Sequence, residues 1–177
     1  MADLTAPHAS LLAQPIIALD VPSMDAARVL CDRLGPRADF VKVGLELYTA
    51  EGPRVVEWLQ GQGKRVFLDL KLHDIPNTVK GAARSAAAMG VSLLTVHGYG
   101  GAAMVEAAVE GAGDRTGILV VTVLTSFDAR ALGVSLGREV VEMGAEVTRL
   151  SAVAHAARAH GVVCSGHEVA AVRTTYP

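Results

Sequence analysis

Six short apolar runs, each followed by a stretch that suits a helix, recur along this chain. Their spacing restricts the fold more than any other feature. The runs are IIALDV at Ile16–Val21, FVKVG at Phe40–Gly44, VFLDLKL from Val66, LLTVHG at Leu93–Gly98, ILVVTVLT at Ile118–Thr125 and VVCS at Val162–Ser165. They return about every 25 to 40 residues, room for one helix between strands, which predicts parallel strands joined by right-handed crossovers. Strands covered on both faces read as near-continuous apolar runs, as these do. Helices are expected over Met24–Leu34, where Gly35-Pro36 stops the pattern, and over about Glu51–Gln62. Further helices are expected from a cap at Asn77 or Thr78 to about Met89, over about Gly101–Glu110, over about Arg138–Ala159 after a polar loop, and from His167 to about Thr174.

The third run departs from the apolar rule. Asp69 and Lys71 sit two apart in VFLDLKLHDIPNT, on one strand face, while Leu68, Leu70 and Leu72 face the other way. Asp74 follows where the strand gives out, and Pro76 keeps it from continuing. Charges at the end of a buried strand are costly unless they are paired or functional. The same end of other strands carries Asp20, Lys42, His97 and Thr125-Ser126. Six units could build an open doubly wound sheet or most of an eight-stranded barrel. Polar groups from consecutive strands converge on one point when the sheet curls round, and an open sheet gathers them at its switch point instead. The reading is therefore α/β, a TIM (β/α)8 barrel of which about six βα units are present, occupying residues 15–177 as one domain after an extension at 1–14.

An alternating set of Asp20, Lys42, Asp69, Lys71 and Asp74 lets every member stay ionised, because each charge has an opposite neighbour. Lys71 so held is a positioned general acid. Imine formation needs a lowered lysine pKa, and flanking carboxylates raise it. The plainer reading of the same residues is a structural ion-pair network at the barrel mouth. Other signals are weaker. Gly98-Tyr99-Gly100-Gly101 could cradle a phosphate but lacks the spacing of the known phosphate loops and reads more simply as a tight turn. Cys164 and His167 have no matching pair for a metal. His73 fits a loop or interface as well as a catalytic role, His155 and His160 fit a surface, and Trp58 and Met89 fit a core.

Composition narrows the classes. A formal net charge of -2 over 177 residues gives no electrostatic footprint for nucleic acid. No run approaches the length of a membrane span, and the N-terminus lacks a basic region before its short apolar Leu11–Ala13, unlike a secretory signal. Two cysteines suit a reducing compartment, so a soluble cytoplasmic protein is expected.

DLKLHDIPNT at Asp69–Thr78 resembles the signature of the orotidine 5'-phosphate decarboxylase family. ALDVP at Ala18–Pro22, VKVGLELYTAEGP at Val41–Pro53, VHGYGG at Val96–Gly101, VTVLTS at Val121–Ser126 and GVVCSGHE at Gly161–Glu168 resemble it too, in the family's order. The resemblance implies decarboxylation of orotidine 5'-phosphate to UMP without a cofactor or metal. It implies that Asp20 and Lys42 hold the ribose hydroxyls, that Asp69 lies beside the scissile carboxylate, and that Lys71 protonates C6. It further implies a homodimer in which Asp74, Ile75 and Thr78 complete the neighbour's site, and a contact from Thr125 to the pyrimidine. Magnesium-dependent sugar-phosphate decarboxylases and synthases of the same superfamily share D-x-K-x-x-D but carry an acid where this chain has Lys42. A barrel fragment kept for binding or assembly is the other alternative. The family's barrel has eight strands, with the phosphate held by the last two. The chain is therefore expected either to continue beyond Pro177 or, at this length, to be unstable and nearly inactive.

Overall fold

A computed structural model describes residues 13–139 and 141–176. Most of the 1–14 extension thus lies outside the described residues. Six parallel strands form one sheet in the order β1-β2-β3-β4-β5-β6. They are β1 (Ile17–Ala18), β2 (Phe40–Gly44), β3 (Arg65–Leu72), β4 (Leu93–His97), β5 (Gly117–Val121) and β6 (Gly161–Val163). Sequential order with a helix in every connection is the pattern of a curling barrel, and this sheet is six strands of one.

Each strand divides its side chains between two layers. Val41, Val43, Val66, Leu68, Leu94, Val96, Ile118 and Val120 are buried in one large core with Ala27, Leu47, Leu59, Ala83, Val105 and Ala108 of the surrounding helices. The alternate positions, Lys42, Asp69, Thr95 and His97, project from the other face. Period-two alternation thus places the polar groups together without exposing the helix-facing layer.

The helices are α1 (Met24–Leu34), α2 (Leu45–Glu51), α3 (Arg54–Gly61), α4 (Pro76–Ala88), α5 (Gly101–Ala112), α6 (Ala129–Ser135), α7 (Met143–Ala156) and α8 (Val169–Thr175). Helix α1 has the expected bounds, with Ser23 accepting from the N–H of Ala26. Several expectations are corrected. The helix expected over Glu51–Gln62 is the shorter α3, and an unexpected helix, α2, precedes it and ends at Glu51, because Gly52 takes a positive φ of 63° and Pro53 follows it. Helix α4 begins at Pro76, so neither Asn77 nor Thr78 caps it; Ile75 holds the cap position in extended geometry and proline fills the first turn. The stretch from Arg138 is not continuous helix. Within the supposed polar loop Asp128 caps α6, and Glu142 caps α7 by accepting from Gly144 and Ala145. The segment between β5 and α7 packs through Val123, Leu132 and Val141 against Val147 and Leu150 of α7, forming a small second core. Buried Glu146, in ion pairs with Arg149 at 2.6 Å and Arg138 at 3.7 Å, ties that segment to α7. Strands β1 and β5 are shorter than their apolar runs: after one further amide bond each, from Leu19 to Lys42 and from Thr122 to Val163, the residues up to Val21 and Thr125 leave the ladder at the mouth.

Helices α4 and α5 approach closely through alanine and glycine. A Cβ on Gly111 would lie 2.3 Å from the carbonyl oxygen of Lys80, so only glycine permits this separation.

Candidate active site

Asp20, Lys42, Asp69 and Lys71 meet at the carboxyl end of the sheet, as the charge pattern predicts. Lys42 Nζ donates to Asp20 Oδ1 at 2.8 Å and lies 3.6 Å from Asp69 Oδ2. Lys71 Nζ donates to the same Asp69 Oδ2 at 2.8 Å. Two ammonium groups therefore share one carboxylate oxygen. Gly44 makes room for the outer pair, since a Cβ there would stand 3.3 Å from Lys42 Nζ and 3.4 Å from Asp20 Oδ1.

The route to Lys71 is not a regular strand. Pairing of β3 with β4 runs Leu68↔Leu94 and then Leu72↔Val96, so four steps along β3 match two along β4. The extra length is a bulge, with Lys71 in the left-handed region at φ 49°. This frees the Lys71 N–H from the ladder, and Thr95 Oγ1 accepts it at 2.8 Å. The Thr95 hydroxyl in turn donates to Asp69 Oδ1 at 2.8 Å.

Asp69 is 8% exposed. Burial pushes its carboxyl up, but hydrogen bonds from Lys71 and Thr95 and the charges of Lys71 and Lys42 outweigh burial and hold it below the usual carboxylate range. It is a fixed anion at neutral pH. His97, stacked between His73 and Tyr99 with ring centroids 5.6 and 5.3 Å away, is held below its ordinary value by burial and then by the His73 and Lys71 charges. Burial and the nearby Glu146 carboxylate push the Tyr99 phenol up to about 12.

Asp74 does not join the row. Beyond the Lys71 turn the chain heads outward, and Asp74 lies exposed on the rim, accepting from the Ile75 N–H at 2.6 Å. Ile75 and Thr78 are exposed beside it, and Thr125 is exposed in the turn after β5. His73, Asp74, Ile75, Pro76, Tyr99 and Gly100 line an open cleft of about 520 Å³ on that rim. Gly98–Gly100 form a 3-10 turn, the simpler of the two readings of the glycine run. Thr95 was missed by sequence reasoning. Its signal was there: a lone hydroxyl residue at an inward position of an otherwise apolar strand.

A row of four alternating charges on consecutive strand ends admits several chemistries. Comparison with known proteins decides among families. The sequence model described as the orotidine 5'-phosphate decarboxylase / HUMPS family matches residues 13–176. The chain belongs to this family. A relative from Anaeromyxobacter sp. (strain K), named orotidine 5'-phosphate decarboxylase, is 57% identical over 159 residues, covering 88% of this chain and 68% of its own length. A relative of the same name from Alkalilimnicola ehrlichii is 51% identical over 164 residues, with 89% and 68% covered. Among solved structures, the orotidine 5'-phosphate decarboxylase from Lactobacillus acidophilus superposes with a TM-score of 0.83 at 37% identity, over 90% of this chain and 74% of that one.

Proposed function

We propose that this protein, with residues 15–177 as one barrel domain, decarboxylates orotidine 5'-phosphate to UMP. The observation that carries the reading is the row Asp20–Lys42–Asp69–Lys71, with contacts of 2.8, 3.6 and 2.8 Å, in a chain of this family. In this reading the pyrimidine lies over Lys71, with its carboxylate beside Asp69. The bond from C6 to the carboxyl carbon breaks, carbon dioxide leaves, and the electron pair stays on C6. Lys71 Nζ gives C6 a proton and regains one from water. No carbonyl is placed to absorb the C6 charge, so a fixed cation must lower its energy, and Lys71 is that cation. Asp69, anionic at neutral pH, pairs with both ammonium groups, and its repulsion of the substrate carboxylate adds to the driving force. Asp20 and Lys42 hold the ribose hydroxyls, and Thr125 meets the pyrimidine.

The exposed rim of Asp74, Ile75 and Thr78 supports a homodimer in which these residues close the neighbour's site. Ile75, 66% exposed beside the mouth, is the apolar side chain that such a contact would cover. Lys42 favours this activity over the magnesium-dependent sugar-phosphate reactions, because its ammonium stands between two carboxylates where a divalent ion would be repelled. No helix among the described residues is long and apolar enough to cross a membrane. With two free cysteines, a cytoplasmic enzyme is the matching setting. The test follows conversion of orotidine 5'-phosphate to UMP by absorbance, with and without EDTA. Turnover indifferent to EDTA is expected. Turnover abolished by EDTA and restored by magnesium, or consumption of a hexulose phosphate instead, refutes the reading.

A further inference from the structure

We propose that Thr95 is a positioning residue: its one hydroxyl helps to set both the backbone of Lys71 and the direction of the Asp69 carboxylate. The inference rests on the activity proposed above for its kinetic arm and on geometry for the rest. Thr95 is 0% exposed, so no water competes for its hydroxyl. A hydroxyl has one proton to give. The Lys71 N–H can only donate, so Oγ1 must accept it, at 2.8 Å, which leaves the hydroxyl proton for Asp69 Oδ1, also at 2.8 Å. Both bonds are thereby fixed in direction.

Two consequences follow from that pair of bonds. Oδ1 of Asp69 is taken up by Thr95, so Oδ2 is the oxygen that faces Lys71 at 2.8 Å and Lys42 at 3.6 Å. The bulge in β3 leaves one amide without a ladder partner, and Thr95 supplies the acceptor at the residue with φ 49°. A buried amide without an acceptor would disfavour that turn. The other threonine hydroxyls with partners among the described residues donate to backbone carbonyls: Thr116 to Val91, Thr122 to Val163, and Thr148, Thr174 and Thr175 to the preceding turn of their own helices. Thr95 differs in bonding to a charged side chain and to the backbone of its ion-pair partner.

The experiment compares Thr95→Val, which keeps the shape and loses the hydroxyl, with Thr95→Ser, which keeps the hydroxyl. Thr95→Ala serves as the second member for Thr95→Ser should the valine variant not fold. The Asp69 carboxyl is followed by carbon NMR titration of the labelled protein, which needs no activity, and kcat and KM for orotidine 5'-phosphate are measured in parallel. Thr95→Val and Thr95→Ala should titrate Asp69 upward, and Thr95→Ser should restore it. The kcat of the variants without the hydroxyl should fall on the order of 10- to 100-fold with KM little changed, the scale of a misplaced reacting group. A carboxyl that titrates alike in all four proteins, or a serine variant no better than the alanine one, overturns the proposal. Absence of turnover in the unmodified protein would refute the activity and leave the titration to decide the role of Thr95.

Discussion

Replacing Lys71 with glycine and, separately, with alanine tests the backbone and the chemistry of the site together. Both variants lose the ammonium that lies 2.8 Å from Asp69 Oδ2. The pair is neither fully exposed nor fully buried, at 33% and 12% side-chain exposure. Its loss therefore falls between the ~0–1 kcal/mol of surface pairs and the ~3–5 kcal/mol of buried ones, about 2 kcal/mol in each variant. The backbone separates them. At φ 49° alanine keeps a left-handed cost of roughly 1–2 kcal/mol that glycine does not carry. Glycine's extra chain entropy returns roughly 0.5–1 kcal/mol of that. The glycine variant should be the more stable by roughly 0.75 kcal/mol, the middle of a range of about 0–1.5, or ~2–3 °C in melting temperature for a domain of this size. In a regular strand the order would be reversed. Thermal melts by circular dichroism read the difference, and conversion of orotidine 5'-phosphate reads the chemistry. Both variants should lose on the order of 10²–10³ in turnover or more. An alanine variant that melts above the glycine one would refute the bulge, and a tenth of the activity retained would mean another group protonates C6.

Three further outcomes are expected. Gly111→Ala should lower the melting temperature by the equivalent of ~1–3 kcal/mol, because its Cβ meets the Lys80 carbonyl at 2.3 Å and α4 must move away; an unchanged melt would mean that the two helices are not so close. Asp69 has a folded-state pKa below its unfolded value, so its stabilisation is complete above the unfolded carboxylate value near ~3.9 and fades as pH falls through the folded one. Asp69→Asn should therefore flatten the loss of stability below about pH 4, and an acid limb like that of the unmodified protein would show that Asp69 does not carry it. In the proposed homodimer Ile75→Asp should weaken association in sedimentation and reduce turnover with it; unchanged sedimentation would refute that placement of the interface.

The strand–helix alternation was legible because buried parallel strands must be apolar throughout, and the four inward charges stood out against that background. Helix α1 and strand β2 have the bounds that their caps and apolar runs foretold. What stayed hidden depends on partners distant in sequence. The bulge at Lys71 exists because Leu72 pairs with Val96, a register that no local pattern in β3 encodes. Thr95 is a lone hydroxyl residue in an apolar strand, but its partner Asp69 lies on another strand, 26 residues away in sequence. Asp74 was grouped with the other charges by its spacing, yet a single left-handed residue three positions earlier turns it out to the rim. Helix α6 was missed because its seven residues, with one large buried side chain at Leu132, are too few to show a helical period, and its burial comes from the second core beneath it.

The two-residue ladder of β1 also has a kinetic meaning. Only Ile17 and Ala18 pair with β2, with one further bond from the Leu19 amide to Lys42. Strands β3 and β4, by contrast, are clamped from outside by α4 and α5. Amide exchange should therefore be fastest along β1 and slowest in the β3–β4 block, since local opening follows the number of buried contacts and hydrogen bonds that must break. Asp20 lies two residues beyond the fast-opening strand, and Asp69, Lys71 and Thr95 lie on the slow block. Local opening of the outer wall of the mouth is therefore expected to leave the mutual distances of Asp69, Lys71 and Thr95 unchanged.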